Sequence, residues 1–404
     1  MNIQRQFEFL LIYFWIIASF VDYANEYSKS GLKYYILVAP IVLFIAINNK
    51  QLYRSRYNSS SIILLVYFVC ICSLSLARHD MPTLYSAIAF CIPIIIMLNS
   101  QIHLNFKLCN ILFLLSICIS VIYYYLGWNP YGYFPGQSTL ESYQGLTWRI
   151  SLFSYNTPPY SGAFALMIFI VNYFLNHGKS KIFFLVLSLY YLIFSGSRTA
   201  LIILLVVMFF IIVSKKIEFR NRFFYKIFPI VAIVVFVLTL YAPNIFMQIK
   251  TNNVFVNTFI FRSEEGLDSS DELSESINRT IIWERHMDQF FIHPMIGSGS
   301  SFENEELSAS LGSTGSESLL TRIIARDGSL SLLFLSFLLL MFVKAVALKD
   351  RLMYSVNIVF CILLLTYGSF LNTYSFVFLL ILGFINGGQM NAVQLQAESA
   401  IEES

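Results

Sequence analysis

Charge is what this chain has least of. Only 12% of its 404 residues are Asp, Glu, Lys or Arg, about half of what a soluble domain carries. An ordinary water-soluble globule is therefore excluded. Cysteine is missing from every long polar segment. Cys70, Cys72, Cys91, Cys109, Cys118 and Cys361 all fall inside apolar runs, which excludes a disulfide framework and any metal-type cysteine spacing. The short basic loops contain no P-loop, no glycine-rich nucleotide fingerprint and no DxD, which excludes chemistry on cytosolic nucleotides. The net charge of +3 is no footprint for nucleic acid, and none is expected as a partner.

What the chain has instead is apolar and aromatic surface. It is 57% hydrophobic and 17% aromatic, with 39 Phe and 25 Tyr, and its mean hydropathy is +0.68. These values describe a polytopic membrane protein with lipid as its first partner. A bilayer core needs about 20 apolar helical residues, fewer in a tight bundle. Twelve runs meet that need: 7–24, 32–48, 61–77, 84–99, 108–127, 159–175, 182–195, 199–213, 227–243, 328–343, 354–371 and 374–389. No small-residue cleavage site follows the run that starts at Phe7, so it reads as a retained span. The expected fold is an all-α bundle of about 12 transmembrane helices with one long outside loop containing short helices.

Lys and Arg set the sidedness. With Arg5 placed inside, fifteen of the 26 basic residues fall in inside loops and five (Lys29, Lys33, Arg78, Arg149 and Arg198) in short outside ones. Both termini are expected in the cytoplasm. The organisation follows: 1–243 as spans one to nine, including an outside loop at 128–158; 244–327 as a large outside loop with 13 of the 23 acidic residues; 328–389 as the last three spans; and 390–404 as a cytoplasmic tail.

The polar gap "SGSR" at 195–198 separates two apolar runs of about 15 residues, about 22 Å of helix each. One unbroken helix would put Lys179 and Lys181 on the opposite face from Lys215 and Lys216. The sequence predicts two arms with Arg198 at the outer tip, recessed because the arms are short. A recessed arginine faces a water-filled cavity or an anion, or else snorkels to headgroups. "SGS" also makes a helix N-terminus, where free N–H groups favour an anion.

The outside loops supply the other polar chemistry. "WNPYGYFPGQSTLESYQGLTWRISLFSYNTPP" holds aromatics suited to stacking on sugars or to an interfacial belt, and Arg149 is its only cation. "SEEGLDSSDELSE" at 263–275 reads as a solvated lid or linker. In "NRTIIWERHMDQFFIHPMIGSGSSF", Asn278 caps a helix that Pro294 ends. Helical spacing aligns Arg279, Trp283, His286/Met287 and Phe290 on one stripe, with Glu284, Arg285 and Asp288 opposite. His293 reads as a turn residue and "GSGSSF" as a flexible loop. "GSESLLTRIIARDGSL" predicts a short helix ending at Gly328, with Arg322 and Arg326 as a basic edge. Its Glu317 sits at the helix start, where a carboxylate offsets the dipole. No outside cluster has ligand spacing for a metal.

These pieces, in this order, resemble the O-antigen polymerase and ligase superfamily of bacterial inner-membrane glycosyltransferases. The residues that carry the resemblance are "SGSRTALIILLV" (195–206), "RTIIW" (279–283), "HPMIGSGSSF" (293–302) and "ESLLTRIIARDG" (317–328), with "WRISLFSYNTPP" (148–159) similar to an arginine-led segment of the family. The resemblance implies transfer of a glycan from an undecaprenyl-diphosphate carrier on the periplasmic face, without metal or other cofactor. It implies Arg198 and Arg279 as the diphosphate-holding residues, with Arg149 next. Arg322, Arg326 and Trp283 complete the expected substrate-binding set. Ligases typically carry a histidine in the segment matching "SESLL"; here Ser316, Glu317 and Ser318 stand there, which favours the Wzy-type polymerase branch.

The physics of the residues agrees. Guanidinium forks bind diphosphate bidentately and keep their proton. Such fixed charge counts for more in a water-poor site. Glu317 is the expected general base for the acceptor hydroxyl. The expected partners are lipid-linked donor and acceptor glycans, membrane lipid and a chain-length regulator. The same-family alternative is an O-antigen or O-glycan ligase. A lipid-linked oligosaccharide flippase is the alternative from another class, but it calls for internal repeats and charged residues in mid-span, and neither is seen.

Overall fold

The computed structural model describes residues 5–13, 40, 42–48, 59–99, 106–137, 149–152, 158–216, 282–300, 319–348 and 350–366. Every regular element among them is helical. After helical residues 5–13 and 42–48 come α1 (Ser59–Ala77), α2 (Met81–Asn99), α3 (Phe106–Tyr125), α4 (Pro158–Leu175), α5 (Gly178–Phe194) and α6 (Arg198–Lys216). Then follow α7 (282–292), α8 (Leu319–Asp327), a 3-10 turn at Gly328–Leu330, α9 (Ser331–Ala347) and α10 (Arg351–Thr366). The spans expected at 227–243 and 374–389, most of the two at 7–24 and 32–48, and the acidic run 263–275 lie outside the described residues.

Among the described residues, three stretches are long and apolar enough to cross a membrane: Ser59–Ala77, Phe106–Tyr125 and Leu320–Ala347. The last joins two elements that the sequence reading separated. The helix at 319–327 does end at Gly328, but a single 3-10 turn carries the chain directly on into α9. Shorter apolar helices run over Ser161–Leu175, Ala200–Ile212 and Arg351–Leu364. The chain is a membrane protein by these helices.

The helices pair by their connections and by packing. The turns at 78–80 and 176–177 join α1 to α2 and α4 to α5, and α9 packs against α10, which follows it in the chain. α1 also lies against α9, and α4 against α3, α6 and α10. The hinge of the bundle is α10, which touches α4, α6, α8 and α9. Every residue from Leu352 to Phe360 is buried, as expected for a helix apolar all round. Its polar Asn357 donates to the Met341 carbonyl at 3.4 Å, and Asp350 caps its first turn through the Met353 N–H at 3.0 Å.

Ring contacts fix which ends lie together. Phe210, near the end of α6, meets Tyr354, near the start of α10, at 5.5 Å. The starts of α6 and the C-terminal half of α10 therefore share the opposite end of the bundle, where α10 meets α8. That end also holds the 78–80 turn, because Arg78 reaches the loop after α7. The far end is tied by an amide ladder. Asn110 and Asn172 exchange hydrogen bonds at 3.0 and 2.6 Å, and Asn176 adds another to Asn172 at 2.7 Å. Such bonds hold bundle helices in register for about 0.6–2 kcal/mol each.

Candidate functional site

Two assemblies stand at the Arg78 end of the bundle. The first is built on the "SGSR" gap. The chain breaks there as the sequence predicts: α5 ends at Phe194, Gly196 takes φ +65°, and α6 begins at Arg198. Ser197 caps the new helix, its hydroxyl accepting from the Ala200 N–H at 3.2 Å, the usual N-cap bond to the third helical residue. The arms are 17 and 19 residues long, longer than the 15 expected, so recession of the tip does not follow from shortness. Arg198 is the first helical residue of α6, where backbone N–H groups and the helix dipole favour an anion.

The extended Arg149–Leu152 segment, which forms no regular element, lies against this corner. The Ile150 N–H donates to the Phe194 carbonyl at 2.9 Å, and the Ser151 N–H to the Gly132 carbonyl at 3.1 Å. The Leu152 N–H donates to Ser161 Oγ of α4 at 2.9 Å. Asn129 secures the other side, its Nδ2 donating to Ser120 Oγ at 2.8 Å and to the Gly132 carbonyl at 3.2 Å. Ser120 Oγ donates in turn to the Ser151 carbonyl. Gly162 is packed so closely on Ser195 and Ser197 that a methyl group there would strike both. The result is a buried, hydroxyl-rich collar. Arg149, only 7% exposed, is carried by the same short segment that is bonded to the residue before Ser195. Two of the predicted arginines are thus borne by adjoining backbone.

The second assembly joins α1, α7 and α8. Arg326 forms a bidentate pair with Asp327, Nε to Oδ1 at 2.6 Å and Nη2 to Oδ2 at 2.8 Å. Tyr67 of α1 donates to the same carboxylate at 2.6 Å. The trio is buried, so one edge of the Arg326 fork is already occupied by protein. Arg322, one turn earlier, is half-buried. His286 of α7 is 1% exposed and shares a hydrogen bond with Thr321 of α8 at 3.2 Å. From Trp283 onward the α7 stripe follows the expectation: His286 is buried, Trp283, Met287 and Phe290 are half-buried, and Glu284, Arg285 and Asp288 are exposed. Ile282 also faces in, and Arg279, the stripe's first member, lies outside the described residues.

The "GSGSSF" segment is not a free loop at 297–300. The Ser298 and Gly299 N–H groups donate to the Ala325 and Arg326 carbonyls at 2.9 and 3.0 Å. Gly297 and Gly328 lie backbone against backbone, and a Cβ on either would fall inside the other segment's main chain. From the other side, Arg78 donates to the Ile296 and Gly297 carbonyls at 3.0 and 2.7 Å. Asp80 accepts from the Ser300 N–H at 2.8 Å and from its hydroxyl at 2.5 Å. Burial raises the Asp80 pKa, but the bonds from Ser300 and Thr83 outweigh it and hold the carboxyl below its ordinary range.

Sequence reasoning missed this clamp and the Tyr67–Asp327–Arg326 trio. The adjacent Arg326 and Asp327 were the available signal for one half of the trio, but Tyr67 stands 260 residues away. Arg279 and Glu317 lie outside the described residues, as does the side chain of Arg198.

Residues 183–336 match the model of the O-antigen ligase family. No curated protein matches the chain. The matched stretch contains the "SGSR" corner, α7, the Gly297–Gly328 junction and the first turns of α9, while Arg149 and the Arg78–Asp80 turn come from outside it. The match over this segment supports membership of the O-antigen ligase/polymerase superfamily, whose members are glycosyltransferase-like enzymes.

Proposed function

We propose that this protein is a periplasmic-face glycosyltransferase of the inner membrane. It polymerises undecaprenyl-diphosphate-linked oligosaccharide repeat units into O-antigen polysaccharide. The observation that carries the reading is the family segment together with the start of α6. Arg198 opens a capped helix inside the matched stretch, and the buried Arg149 segment is bonded to the adjoining residue. A helix N-terminus that opens on an arginine, with a second arginine on the adjoining backbone, suits a diphosphate leaving group. In the proposed reaction Arg198 and Arg279 hold the donor diphosphate, Arg149 and Arg322 add positive potential, Trp283 stacks on the glycan, and Glu317 accepts the proton of the acceptor hydroxyl. Arg326, one turn after Arg322 on α8 and paired with Asp327, completes the proposed substrate-binding set. The growing glycan moves from one carrier to the non-reducing sugar of a single lipid-linked unit, and the released lipid diphosphate keeps the bond electrons.

Ligase activity is the second reading, favoured by the family description itself. A deletion strain run on a lipopolysaccharide gel separates the two. Loss of a polymerase leaves core plus one repeat, and loss of a ligase leaves bare core. Complementation with Arg198→Lys or Arg279→Lys keeps charge but loses the planar fork. Each should cost about 3–4 kcal/mol of transition-state stabilisation, or about 100- to 1000-fold in rate, and abolish the ladder. Arg285→Ala, on the exposed face of α7, should restore it fully. Full ladders from both lysine variants at normal expression would sink the assignment.

A further inference from the structure

The C-terminal end of α7 and the turn after it carry an uncovered apolar knob. Phe291 is 72% exposed, Ile292 62%, Met295 72% and Ile296 50%. Such a contiguous patch marks a surface that something covers. The preceding turns differ in kind: Glu284, Arg285 and Asp288 are exposed and charged, while Ile282 and His286 are buried against the protein. α7 therefore has an inward face, a water face and an apolar tip.

The height of that tip is fixed by Arg78. Arg78 is the first residue after α1, a stretch long and apolar enough to span a membrane. One side of α1 is an exposed apolar stripe of Ile62, Val66, Val69 and Leu76, spaced as a lipid-facing helical face. Arg78 donates to the Ile296 and Gly297 carbonyls. Ile296 thus lies at the level where α1 leaves the hydrocarbon, and the exposed apolar tip stands at that same height. The charged turn at Asp288 stands about 6 Å further along the helix from Ile292, the separation expected across a headgroup boundary.

We propose that residues 291–296 insert into the acyl boundary of the adjacent lipid leaflet. α7 is then held at three points: to α8 by His286 and Thr321, to α1 by Arg78, and to the bilayer by its own tip. The lipid anchor sets the height of the helix that carries Trp283 relative to the membrane plane. The inference rests on the membrane embedding of α1 and not on the proposed reaction.

The test uses the full wild-type chain in vesicles of phosphatidylethanolamine and phosphatidylglycerol doped with a phospholipid bearing a diazirine high on its acyl chain. After photolysis, adducts are mapped by mass spectrometry. The α1 stripe is the positive reference and residues 284–288 the aqueous one. Adducts on 291–296 should approach the level of the α1 stripe and exceed those on 284–288 by about tenfold, as insertion into the acyl boundary requires. Labelling of 291–296 no greater than that of 284–288 overturns the proposal. Chain-to-chain cross-links that tie 291–296 to a second copy also overturn it, by giving the surface to an oligomer.

Discussion

Asp80 accepts two hydrogen bonds from Ser300 and one from the Thr83 N–H, and in doing so fastens the α1–α2 turn to the loop after α7. Its partial burial costs something, yet the three donors keep its carboxyl below the ordinary range. The sign of the linkage follows. A depressed folded-state pKa gives stability that is complete above the unfolded value, near ~4, and is lost as pH falls through the folded one. Asp80→Asn removes the charge and one acceptor. Hydrogen bonds to charged groups contribute about 1.5–3 kcal/mol, reduced here by solvent at a half-exposed site, so the loss should be on the order of 1–2 kcal/mol. Thermal melts of the detergent-solubilised protein should show a constant deficit for the variant from pH 8 to 5. The deficit should begin to shrink below about pH 4, where the unfolded carboxyl takes up its proton, and go on shrinking until the folded carboxyl is protonated too. A deficit that stays constant down to pH 3, or none at neutral pH, would remove Asp80 as the fastener.

At the scale of elements, the junction of the 293–300 loop with α8 depends on bare backbone. Gly297 has φ +69° and sits on the Arg326 carbonyl; Gly328 has φ +61° and sits on the Gly297 nitrogen. Gly297→Ala adds a methyl where main chain already lies, and also strains a left-handed residue. Gly178 is the internal comparison: its φ is +65° but open space surrounds it. Gly178→Ala should cost about 1–2 kcal/mol from backbone strain alone. Gly297→Ala should cost at least ~4 kcal/mol, the range reserved for special sites, read as a much larger drop in Tm. Equal drops would mean the close approach has no energetic weight.

This junction also marks the limit of what was legible beforehand. The break at "SGS" and the stop at Gly328 were readable because serine caps and glycine ends are local signals. The α7 stripe was readable because its charges and apolar residues alternate with helical period. The partners were not. α1 and α10 are apolar on every side, so their sequences do not say that α1 meets α9 or that α10 is the buried centre. The clamp from Asp80 to Ser300 spans 220 residues, and no local pattern announces it.

For the whole molecule, the geometry turns the charge bias into a statement about ends. Arg78, Arg149, the start of α6 at Arg198, and Arg322 and Arg326 of α8 lie at one end of the bundle. Lys107 at the start of α3, Lys179 and Lys181 at the start of α5, Lys215 and Lys216 at the end of α6, Lys344 near the end of α9 and Arg351 at the start of α10 lie at the other. The basic residues of short connections favour the cytoplasm, so the second end should face the cytosol and the two assemblies should face outward. The arginines of the first end are fewer, and two of them are buried: Arg326 against a carboxylate, Arg149 within the collar. They are placed for a site rather than for retention on one side. Paired reporter fusions, one active only inside and one only outside, should read cytoplasmic within 215–226 and at Ser404, and periplasmic at Asp268. A cytoplasmic signal at Asp268 would turn the bundle over. It would put Arg198 and the Gly297–Gly328 junction in the cytosol, away from any glycan carried on the outer leaflet, and the proposed polymerase reaction would have no substrate at its site.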